Sequence, residues 1–165
     1  MKEKFSKRVQ SIIKQSKEEA IELGHSYVGS EHILLGLLKV NSGKGKKILD
    51  IFNININEMI NSINTRIKTS GGTLNLGHLP LTRRAERILR NSYNEASSRG
   101  DSISDDIHLL LAMLKEPEGI ASKVLKSFSL DYETVSELIF SDDGSFLVEE
   151  IAGDKNIKTK SKTPT

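Results

Sequence analysis

The chain has 165 residues, 36% of them hydrophobic and 28% charged, with 5% aromatic residues, no tryptophan and no cysteine. Such a composition fits a folded domain with a core of Leu, Ile and Val; it rules out disulfides, thiolate zinc sites and a cysteine nucleophile, and no apolar run approaches the roughly 20 residues that span a bilayer. Net charge is +2, but residues 153–165 hold four lysines against Asp154 alone, so residues 1–152 carry −1 and offer a nucleic-acid backbone no obvious basic face.

The N-terminal MKEKFSKRVQ lacks the apolar stretch of a secretory signal, so the expectation is a cytoplasmic protein without a membrane segment. Val9, Ile12, Ile13, Ser16 and Ala20 then fall at helical spacing, with Ser6 placed as N-cap and Gly24 as the stop. Ser30 is the expected cap of a second helix built on Ile33, Leu34, Leu37 and Leu38. Gly43 and Gly45 are expected to break that helix before a third, on Ile48, Leu49 and Phe52. Asn55 followed by Glu58 reads as a capping box opening a fourth helix with Met59, Ile60, Ile63 and Ile67.

Residues 81–139 repeat residues 5–63 without a gap at an offset of 76, with 17 identities in 59 paired positions. Thr82 takes the place of Ser6, Gly100 that of Gly24, and His108 that of His32. Asp106 stands where Ser30 stood, and Pro117 falls in the loop ahead of the seventh helix. A tandem repeat of a four-helix unit predicts an all-α fold of eight helices in two pseudo-twofold-related copies. The expected boundaries are 1–67 for the first repeat, 68–80 for a Gly-rich connector, 81–140 for the second repeat and 141–165 for an extension. In that extension Phe146, Leu147 and Val148 are the only candidates for a short packed segment, and residues 153–165 read as disordered.

Catalytic motifs are sparse. The cluster Ser42 to Lys47 lacks the spacing of a phosphate loop and no strand precedes it. His25, His32, His78 and His108 do not follow a recognised zinc spacing, and the matched His32 and His108 read as structural, hydrogen-bonded to a neighbouring loop. The most informative segment is Gly29-Ser30-Glu31-His32. Unpaired amides at a helix start make an anion site, while the Glu31 carboxylate can accept a guanidinium through two hydrogen bonds. The simpler reading of Glu31 is a favourable charge on the helix dipole, worth a few tenths of a kcal/mol.

The string LGHSYVGSEHILLGLL at residues 23–38, with FSKRVQSIIKQSKEEA and LTRRAERILRNSYNEA opening the two copies, resembles the Clp amino-terminal repeat. That repeat forms the N-terminal domain of ClpC- and ClpA-type AAA+ unfoldases, the ATP-binding subunits of the Clp protease. The resemblance covers residues 3–140, and the F-[ST]-x-R and L-T-x-R helix starts favour the ClpC branch. It implies a non-catalytic domain that docks protein substrates and adaptor proteins, with ATP and Mg²⁺ needed only in ATPase modules beyond this chain. It also implies binding of phosphoarginine, a degradation tag, at two equivalent sites. On the family pattern the first site is expected at Ser6 and Glu31.

The second site, at Thr82, departs from the pattern. Ile107 stands in the place of Glu31, Glu86 replaces a basic residue, and Asp105 and Asp106 are expected nearby. At most one competent site is therefore expected. A different class of function is a regulatory domain that controls assembly of the ATPase ring without touching substrate.

Overall fold

A computed structural model describes residues 4–40, 43–67 and 79–140. Most of the connector (68–78), His78 and all of 141–165, including the candidate packed segment, lie outside the described residues. Eight helices follow in order: α1 (Lys7–Glu22), α2 (Ser30–Lys39), α3 (Lys44–Ile51), α4 (Ile56–Arg66), α5 (Arg83–Ser98), α6 (Asp106–Lys115), α7 (Ile120–Ser127) and α8 (Tyr132–Phe140). The described residues contain no strand, only two isolated bridges. The fold is all-α, as the helical periodicity predicts.

The caps explain most boundaries. Ser6 Oγ accepts from the Val9 amide at 3.1 Å, Thr82 Oγ1 from Ala85 at 3.0 Å and Asn55 Oδ1 from Glu58 at 3.0 Å. Helix α1 ends just before Gly24, which takes a φ of +75°. Two boundaries differ from expectation. Ser30 is the first residue of α2 rather than its cap, which is Gly29; the Gly29 amide instead donates to His32 Nδ1 at 2.8 Å. Gly45 does not break a helix but lies in the first turn of α3, where its amide donates to Asp106 Oδ2 at 2.7 Å.

Helices α2 and α6 form the centre. Helix α2 packs against α1, α3, α4, α5 and α7, and α6 against α1, α3, α5, α7 and α8. Ser30 to Leu38 and Asp106 to Leu114 are consequently buried at every position, not on one stripe. Gly36 sets how closely α1 lies on α2: a Cβ there would sit 2.6 Å from both the Ile12 carbonyl oxygen and Ser16 Oγ. Beside this contact the buried Glu19 of α1 pairs with Lys39 of α2 at 2.9 Å, and its counterpart Glu95 of α5 pairs with Lys115 of α6 at 3.3 Å.

Candidate functional site

The segments that precede α1 and α5 cross to the opposite copy. The Ser6 amide donates to the Ser104 carbonyl at 2.8 Å, and Ser104 donates back to Lys4 at 2.7 Å. With the copies exchanged, Thr82 donates to Val28 at 2.9 Å and Val28 to Pro80 at 2.9 Å. Each contact is the image of the other at the offset of 76, the relation expected of a twofold. The crossing corrects the expected pairing of site residues. Ser6 opens onto the start of α6, and Thr82 onto the start of α2, so Ser6 and Glu31 line different pockets and it is Thr82 that faces Glu31. Glu86 belongs to neither; it lines a separate apolar groove with Phe5, Pro80 and Leu81.

The Thr82 pocket has a volume of about 500 Å³. Three helix starts meet around it: Gly29 of α2, Thr82 of α5, and Gly119 with Ile120 of α7. Their unpaired amides and dipoles favour an anion. Arg84 and Lys123 add positive charge. The Arg84 guanidinium lies 3.7 Å from Glu116 and 3.6 Å from Glu118, too far for hydrogen bonds, and its buried Nε has no hydrogen-bond partner. Glu116 is instead gripped by Arg87 through two bonds of 2.8 and 2.7 Å. Beside Gly29 in the same pocket, Glu31 is only 8% exposed and forms no ion pair among the described residues. Burial, and then the Glu31 charge, push the Tyr27 hydroxyl above its ordinary pKa. A nearly buried carboxylate without an ion pair among the described residues lines one pocket with a group of anion donors.

The Ser6 pocket is smaller, about 280 Å³, and built differently. The Ser6 hydroxyl donates to Asp105 Oδ1 at 2.9 Å, the Arg8 guanidinium lies 3.4 Å from Oδ2, and Lys44 Nζ is 3.7 Å away. Burial alone would raise the Asp105 carboxyl, but the Asp106 amide, Ser6, Arg8 and Lys44 together hold it below its ordinary value. Asp106, buried beside that charge, is pushed up to about 6. Ile107 fills the place that Glu31 holds in the other copy. Asp105 therefore lies with Ser6, and Asp106 with the Gly45 amide of α3, neither with Thr82 as the sequence order implied.

The two histidines act as structural pins. His32 Nδ1 accepts from Gly29, so its Nε2 carries the hydrogen and points at His25 Nδ1, 2.7 Å away. Burial, with the neighbouring His25, lowers His32 to about 4, so it is neutral at pH 7. Arg84 and Lys123 were not singled out from the sequence. Their partners at the offset, Arg8 and Lys47, carry the same charges, a signal that repeat comparison alone can pick up.

Comparison with known proteins places these observations. A match to the family described as the Clp repeat (R) N-terminal domain covers residues 4–128 and 81–150. A "ClpA homolog" ATP-binding subunit of the ATP-dependent Clp protease from Pyropia yezoensis is 31% identical over 165 residues, all of this chain and 20% of the relative. The chloroplastic chaperone protein ClpC1 of Oryza sativa is 37% identical over 131 residues, 79% of this chain and 14% of the relative. The chain thus spans about a fifth, or less, of the length of these relatives. The crystal structure of the N-terminal domain of ClpD from Arabidopsis thaliana superposes with a TM-score of 0.64 at 19% identity, covering 82% of this chain and 94% of that one, which shows the shared fold. Among the described residues no helix is long and apolar enough to cross a membrane. By its matched repeats, its relatives and its eight-helix fold, this chain belongs to the Clp repeat N-terminal domain family.

Proposed function

We propose that the chain is the non-catalytic substrate- and adaptor-recognition domain of a ClpC-type ATP-dependent unfoldase working in protein quality control and degradation. ATP hydrolysis and contact with the Clp protease belong, on this reading, to parts of a longer protein, and the cysteine-free composition fits a reducing cytoplasm. We further propose that the Thr82 pocket receives one phosphoarginine side chain from a tagged protein. The phosphoryl group would lie against the helix starts, Arg84 and Lys123, and the guanidinium against Glu31.

The observation that carries this reading is the Glu31 carboxylate, nearly buried and without an ion pair among the described residues, in one pocket with Thr82 and Arg84. An isolated buried carboxylate is costly, and a planar guanidinium relieves that cost through two charge-assisted hydrogen bonds. Calorimetric titration with phosphoarginine tests the reading. The expected result is one site per chain, with binding lost or weakened at least tenfold in Glu31→Ala, from the roughly 1.5–3 kcal/mol of a charge-assisted bond. Two equal sites, or unchanged affinity in Glu31→Ala, would remove it. Free arginine and inorganic phosphate serve as half-ligands, each expected to bind far more weakly than the whole.

A further inference from the structure

We infer that the Ser6 pocket is an anion site permanently occupied by the chain's own Asp105 carboxylate, so that Asp105 is the residue that limits the domain to a single open site. Three observations carry this inference. The first is the ligation of Asp105 itself: the Ser6 hydroxyl, Arg8, Lys44 and the Asp106 amide surround this carboxylate as they would a bound anion. The second is the offset comparison. At the Thr82 pocket the position of Asp105 is Gly29, which brings no side chain of its own and leaves its place to the Glu31 carboxylate.

The third is His108, which lines the Ser6 pocket with only 3% of its surface exposed. Its Nδ1 accepts from the Asp105 amide at 2.9 Å, so Nε2 bears the hydrogen; that buried donor has no hydrogen-bond partner, the nearest acid being Asp101 at 3.5 Å. Its counterpart His32 spends the same donor on His25. The Ser6 pocket thus retains more donors than Asp105 satisfies.

The replacements at 105 and 107 belong together. A Cβ at Gly29 would meet Glu31 Oε1 at 2.7 Å, so a side chain at that position would require the Glu31 carboxylate to move from its present place. Glycine with Glu31 makes an open pocket; Asp105 with Ile107 makes a closed one. The anion half is filled from within, and Ile107 stands where the other pocket has its guanidinium acceptor.

The identity of the ligand rests on the proposed phosphoarginine reading, but the occupancy of the Ser6 pocket does not, and the two are tested separately. Inorganic phosphate titrated into the ¹⁵N-labelled chain is expected to leave the Val9 amide, capped by Ser6, unmoved in the wild type and to shift it in Asp105→Gly. Should Asp105→Gly fail to fold, Asp105→Ser, which keeps a helix-capping hydroxyl and removes the charge, is read in the same way. A Val9 shift of equal size in the wild type, or none in the folded variant, overturns the inference whatever the outcome with phosphoarginine. The double variant Asp105→Gly with Ile107→Glu is then expected to raise phosphoarginine stoichiometry from one to two. A wild type that binds no phosphoarginine would remove the ligand assignment and leave the phosphate result to decide on Asp105.

Discussion

At the scale of single residues, two buried groups set opposing pH dependences. Asp106 is raised to about 6, so between about pH 4 and 6 the folded chain keeps a proton that the unfolded chain releases, and rising pH costs stability. His32 is lowered to about 4, so between 4 and 6.5 the unfolded chain gains a proton that the folded chain refuses, and falling pH costs stability. Each is on the order of 3 kcal/mol, and over this window the two oppose one another. The wild type is therefore expected to lose stability gently between pH 6 and 4, because His108 is lowered by burial like His32, and Asp106→Asn should lose it more steeply. Urea denaturation across pH 4 to 7.5 measures this; parallel profiles for the two proteins would contradict it. The caps Ser6 and Thr82 were legible because a hydroxyl ahead of an apolar stripe is a local signal. The state of Asp106 was not, since its burial comes from α3, sixty residues away in the chain.

At the scale of elements, the 3.6-residue pattern, carried into the second copy by the offset of 76, pointed to all eight helices, but it understated α2 and α6. SEHILLGLLK reads as one apolar stripe, yet Leu35 is as buried as Leu34 because five other helices enclose α2. Periodicity reports one face, and burial on every side needs the tertiary arrangement. Leu34→Ala and Leu110→Ala are each expected to cost about 2–5 kcal/mol through lost transfer energy and an unfilled cavity. Thermal melts that agree with wild type within a degree or two would show that these helices are not central. Gly36→Ala should also destabilise, since its new methyl meets the Ile12 carbonyl rather than a movable side-chain end. Its counterpart Ala112 accommodates that methyl, so Ala112→Gly should cost the roughly 1 kcal/mol of helix propensity and a further ~1 kcal/mol for the buried methyl it removes.

At the scale of the molecule, the repeat was visible but the way its copies meet was not. Copies stacked side by side and copies exchanged about a twofold leave the same offset of 76 in the sequence. Only the crossing of the pre-helix segments decides between them, and it moves Glu31 from Ser6 to Thr82. The crossing also makes the copies interdependent: α2 rests on α5 and α7, and α3 on α6. Residues 1–67 and 79–140 expressed as separate fragments are therefore expected to be largely unfolded alone and to recover helical circular dichroism on mixing. A cooperative melt of either fragment by itself would show that a single copy suffices.

The reciprocal crossing has an evolutionary reading. Two unlinked chains of one copy, meeting in this way, would form an isologous dimer whose two clefts are bound by symmetry to be identical. Every mutation would strike both at once, and a change that closed one cleft would close the other. Joined in a single polypeptide, the halves are released from that constraint. One cleft is free to hold glycine and glutamate while its twin holds aspartate and isoleucine and becomes a brace for the fold.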